Sequence, residues 1–102
     1  MSTFTKRTII VWSKDTYASM ISTAETPATN PAIDEFDQKT QEFIDNNKMD
    51  PDFSELRSED TTIISIKHVT DESTAQEWID FNTGLATKYN LTMVSSRIRP
   101  IV

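Results

Sequence analysis

TTIISIKHVTDESTAQEWIDFNTGLATKYN, residues 61–90, decides the fold. Its first ten residues are rich in Ile, Thr and Val, the composition of a strand. From Asp71 the period changes to that of a helix running to Asn90, with Ala75, Trp78, Ile79, Leu85, Ala86 and Tyr89 on one face. Thr70, Asp71, or Ser73 with Gln76 can cap its start. Gly84 costs such a helix roughly 1 kcal/mol relative to Ala, so a close helix–sheet approach is the expected reason for it. LTMVSSRI (91–98) then reads as a strand stopped by Pro100.

Upstream, KRTIIVWSK (6–14) is a second β-branched and aromatic run and predicts a strand. Asp15 is placed to cap a helix over Thr16–Ala24, broken at Pro27. Asn30-Pro31 restarts it, and Ile33, Phe36, Phe43 and Ile44 mark the apolar face of a helix reaching Asn47. Met49–Asp60 is polar, contains Pro51, and offers only Phe53 and Leu56 for burial. It reads as a loop or a short edge strand near 53–58. With that strand admitted the order is β-α-β-β-α-β in a single domain, 1–102. This is the α+β, ferredoxin-like split βαβ arrangement: an antiparallel sheet with helices on one face.

Composition narrows the chemistry. The 102 residues include no Cys, one His and one Gly, which excludes disulfides, thiol nucleophiles, cysteine-held metal clusters and glycine-rich phosphate loops. No cofactor or metal is expected. Asp50-Pro51-Asp52-Phe53-Ser54 starts like a calcium loop, but Glu55 stands where the sharp-turn Gly belongs and Thr61 where the bidentate Glu belongs. The net charge of −6 argues against nucleic acid. The run Ile9–Trp12 is too short for a signal core or a membrane span, so no membrane partner and a cytoplasmic location are expected. On the same ground Asn90-Leu91-Thr92 is read as a chance match to the glycosylation pattern. The acidity of the protein is concentrated: residues 34–60 hold ten acidic and three basic groups, a local −7, while the rest of the chain sums to +1.

The strands do not alternate cleanly. Ile9 and Val11 oppose Ile10 and Trp12; Ile64 and Ile66 oppose Ile63 and Val69; Met93 opposes Val94. Helices can cover one such face only, and packing the other against a second copy predicts a homodimer. In these respects the chain resembles the dimeric α+β barrel superfamily of ferredoxin-like folds. The likeness is carried by TTIISIKHVTDESTAQEWIDFN (61–82), a strand running straight into a helix with Trp78 one turn in. It implies two sheets facing across a dimer and a pocket in each subunit between sheet and helices. The group spans cofactor-independent monooxygenases, isomerases, haem-degrading enzymes, ligand sensors and proteins without activity, so it implies no one reaction. The Asn, Trp and His of the haem-degrading branch find no match, because the first strand has no Asn. No catalytic residue carries over.

Five residues are singled out as candidate ligand contacts: Trp12, Tyr17, His68, Trp78 and Arg97. The aromatic side chains offer apolar walls with polar tips, although each suits a core equally well. His68, in phase with Ile64 and Ile66, is the candidate general base. It lies near Tyr17 if that face meets the helices. Lys6, Arg7, Arg97 and Arg99 fall at one end of neighbouring strands, where they can hold a carboxylate, meet the acidic segment of a partner subunit, or guard an edge. The resulting expectation is a small dimeric domain binding a small hydrophobic or acyl-like ligand in a pocket between sheet and helices. Its rivals are a cofactor-independent monooxygenase or isomerase using His68, with Tyr17 or an Arg steering substrate, and an interaction protein docking through residues 34–60.

Overall fold

Each β-branched run becomes a strand in the computed structural model, which describes residues 3–17 and 31–101. The elements are β1 (Lys6–Ser13), α1 (Lys14–Tyr17), α2 (Ala32–Asp45), β2 (Met49–Ser58), β3 (Thr62–Val69), α3 (Glu72–Tyr89) and β4 (Met93–Pro100). The four strands form one open antiparallel sheet in the order β2-β3-β1-β4, compatible with the ferredoxin-like arrangement.

Register assigns the faces. Thr8, Ile10 and Trp12 of β1 stand opposite Lys67, Ser65 and Ile63 of β3, and paired residues in an antiparallel ladder share a face. Ile10, Trp12, Ile63 and Val69 join the core with Tyr17, Phe43, Trp78, Ile79 and Leu85, so this face carries the helices. The opposite face presents Arg7 with His68, Ile9 with Ile66, and Val11 with Ile64, flanked on β4 by Arg99, Arg97 and Ser95. Ile66 is buried there, yet it stands apart from the helix-side core.

Trp78 is the hinge of that core. It is 1% exposed, meets Phe36 and Phe43 edge-on at 5.5 and 5.3 Å, and stacks with Phe81 at 5.9 Å. Such aromatic pairs are worth about 0.5–1.5 kcal/mol each beyond the area they bury, and the two with Phe36 and Phe43 fasten α2 to α3. Glu35 of α2 reinforces the contact by accepting from Tyr89 Oη and Lys88 Nζ of α3.

Asp71 is the cap of α3, its carboxylate accepting from Thr74 N–H at 2.8 Å. Asn90 closes the same helix in the left-handed region at φ 57°. Pro31 is the N-cap of α2 and makes no side-chain cap bond; Asn30 and the break at Pro27 lie outside the described residues. Asp15 sits inside α1, which begins at Lys14, and the expected continuation to Ala24 lies outside the described residues. Two expectations are corrected. The polar stretch after Met49 is a full ten-residue edge strand in which Met49 is buried and Leu56 is 54% exposed. Its register breaks between Met49 and Ser54, so side-chain alternation read from sequence does not carry through it. And a Cβ at Gly84 meets nothing within 4 Å, so no close approach explains that glycine.

Candidate functional site

The face that the helices of the described chain leave uncovered holds a polar group to which three strands contribute. Residue pairing sets Arg7 of β1 beside His68 of β3, and β2 brings Phe53 to the same imidazole. The Phe53 and His68 rings are stacked, centroids 3.6 Å apart and planes within 2°. Arg7 Nε–H donates to His68 Nε2 at 3.2 Å, so Nε2 carries no proton. Burial lowers the His68 pKa, the adjacent Arg7 charge lowers it further, and Asp50 opposes both. The neutral imidazole therefore acts as an acceptor that fixes a guanidinium.

Around this group the cations expected to converge do so in register: Lys6 opposite Pro100, Arg7 opposite Arg99, and Ile9 opposite Arg97. The three arginines lie on the uncovered face, while alternation turns Lys6 to the helix side. Among the described residues none of the four cations makes an ion pair; the pairs present are at Lys39, Lys48, Arg57 and Lys88.

The five candidate contacts separate into two groups. Trp12, Tyr17 and Trp78 lie in the core beneath the helices at 0, 5 and 1% exposure, with Trp12 stacked on Tyr17 at 5.4 Å. His68 and Arg97 lie on the other side of the sheet. The condition that would have brought His68 near Tyr17, that its face meet the helices, does not hold. Burial, followed by the charge of Asp37, pushes the Tyr17 phenol up to about 12.

Sequence reasoning missed two residues. Phe53 was a core candidate, not a partner of His68; only the β2 register reveals the contact. Lys67 is buried on the helix side, its Nζ donating to Ser54 Oγ at 2.9 Å, and burial lowers its pKa against the opposing pull of Asp37. The alternation Ile63, Ser65, Lys67, Val69 was the available signal for it. Between α2 and α3 a depression is lined by Glu35, Gln38, Lys39, Glu42 and Phe81, with Lys39 Nζ 5.4 Å from the Phe81 ring centre. Among the described residues no three His, Asp or Glu side chains gather to hold a metal ion, and no helix is long and apolar enough to cross a membrane.

The chain was compared with protein-family models, with curated proteins and with solved structures, and nothing in any of the three matches it.

Proposed function

We propose that this protein is a cytoplasmic homodimeric binding module whose uncovered sheet faces meet and hold a small hydrophobic or acyl-like ligand between them. The observation that carries the reading is the strip Ile9, Val11, Ile64 and Ile66 on a face that no helix of the described chain covers. Ile66 is already buried within the chain, but Ile9, Val11 and Ile64 are only half-buried, and the apolar area they leave to water is burial free energy that a second copy recovers. Charge favours a copy of the same chain as the cover. One edge strand, β2, carries Asp50, Asp52 and Glu55, the last paired with Arg57 of the same strand, for a net negative edge; the other, β4, carries Arg97 and Arg99. A two-fold arrangement that sets each β2 edge against the partner's β4 edge brings opposite charges together twice.

Binding is favoured over catalysis by the Arg7–His68 contact. A general base needs its lone pair free for the substrate proton, and here Nε2 is already accepting from Arg7. The rival enzyme, with His68 as base, requires that bond to break on substrate entry.

Light scattering on the eluting protein tests the assembly. The wild-type chain is expected at twice its 11.6 kDa mass, and Ile64→Glu at the single mass with unchanged far-ultraviolet dichroism. A wild-type monomer at micromolar concentration overturns the dimer. Calorimetry against fatty acids and aromatic acids tests the ligand, and absence of heat with both classes overturns that part.

A further inference from the structure

We infer that Arg7, oriented by His68 and assisted by Arg97 and Arg99, is a binding site for the carboxylate of a hydrophobic acid. The inference rests on the uncovered face being the binding face, as proposed above. Arg7 and Arg99 are directly opposite on adjacent strands, and Arg97 follows on the same face one pair further along. Like charges directly opposite one another destabilise a sheet, and among the described residues neither arginine is held in an ion pair. An anion between them removes that cost.

Edge protection accounts for Arg97 and Arg99, which are exposed on the outer strand β4. It does not account for Arg7. That residue belongs to β1, a central strand paired on both sides, and its side chain is half-buried. Its guanidinium is also held: Nε–H is committed to His68 Nε2, and the imidazole is in turn pinned by the stacked Phe53 ring. The four Nη–H donors remain, in the planar fork that fits a carboxylate with two parallel bonds. A donor fixed before the ligand arrives loses little freedom on binding.

The neighbouring residues select what is attached to the carboxylate. The next pair on the face is Ile9 with Ile66 and the one after it Val11 with Ile64, reaching about 13 Å from Arg7 at the usual strand rise. An anionic head at Arg7 thus has a run of aliphatic side chains beside it for its tail. The overall charge of −6 favours a monoanion over a polyphosphate.

Octanoate, octanol and methyl octanoate are the probes, titrated calorimetrically into the full-length protein, with the assembly mass measured on the same samples. Octanoate is expected to bind about ten- to hundredfold more tightly than either neutral probe, the range set by a charge-assisted hydrogen bond. Arg7→Gln is expected to erase the preference, and Lys14→Gln, whose Nζ is engaged with Glu59 O, to keep it. In nitrogen-resolved spectra of wild-type protein, octanoate is expected to shift the Arg7 Nε and His68 ring signals, and octanol to leave them in place. That second readout does not depend on any variant folding. Equal binding of octanoate and octanol, no binding of either, or a preference that survives Arg7→Gln overturns the inference. A dimer without carboxylate preference fails this inference alone, whereas a monomer that prefers octanoate upholds it and fails the assembly.

Discussion

Replacing Gly84 with Ala should make this protein more stable. Gly84 is exposed within α3, its φ is not positive, and an added Cβ finds no heavy atom within 4 Å. The substitution therefore adds no contact and removes none. What changes is the backbone: a glycine in a helix interior is about 0.8–1.0 kcal/mol less favourable than alanine, mainly because the unfolded chain loses freedom with the added methyl. Neighbouring side chains do not disturb the comparison. Thr83 and Thr87 return their hydroxyls to the carbonyls of Ile79 and Thr83, at 2.9 and 3.1 Å, and need no rearrangement. For a chain of 102 residues an unfolding entropy near 2.1 cal/mol/K per residue converts the gain to a rise of roughly 4–5 °C in Tm. The urea midpoint should rise by roughly 0.3–1 M with an unchanged slope. Parallel urea and thermal melts followed by far-ultraviolet dichroism measure both. A close helix–sheet approach at Gly84 predicts the opposite sign, a loss of about 1–3 kcal/mol from overpacking. A destabilised Gly84→Ala protein refutes the reasoning and places another surface against that turn of α3.

Two further tests address the ends of the same helix. Asn90 holds the left-handed cap at φ 57°, so Asn90→Ala should cost about 1–2 kcal/mol in urea melts while Asn90→Gly stays near wild type; equal effects of the two would remove the backbone explanation. At the other end, the backbone hydrogen bond from Thr74, then that residue's side-chain bond, hold the Asp71 carboxyl below its ordinary pKa. A depressed folded-state pKa means the unfolded chain binds the proton more readily, so the stabilisation is present above the unfolded pKa and is lost as pH falls through the folded one. Asp71→Asn should therefore lose stability relative to wild type at neutral pH and converge with it in acid, and parallel stability curves across that range would disprove the linkage.

The parts of the fold that were legible are those where composition and burial agree. β1 and β3 pair with strands on both sides, so their β-branched runs announce them. α3 bears both a cap residue and an apolar period, and Trp78 falls where that period puts it. β2 was obscure for a physical reason. As an edge strand it pairs only with β3, carries Pro51 in the stretch where its register with β3 breaks, and exposes most of its side chains. Its one fully buried residue, Met49, precedes the register break and lies ahead of the strand expected at 53–58. The site divided similarly. The convergence of Arg7 with Arg99 follows from topology and was foreseen, but which face of β3 meets the helices depends on register. Two apolar faces gave sequence no means of choosing between Ile63 and Ile64. His68 took the fate of that choice. Its partnership with Phe53 needed the β2 alignment as well.

The placement of β1 also bears on how the chain acquires its structure. β1 is a central strand made before either of its neighbours, and both are encoded far downstream: β3 ends at Val69 and β4 begins at Met93. At ordinary elongation rates of ~5–20 residues per second, the stretch Ile9-Ile10-Val11-Trp12 waits several seconds before β3 exists, with both hydrogen-bonding edges and both apolar faces unsatisfied. Loop closure across so many residues slows the pairing itself, placing this sheet among slow-folding, non-local topologies. The nascent chain is thus most exposed to misassociation in the segment that ends up most enclosed, and a chaperone that holds extended apolar segments would engage it there before anywhere else.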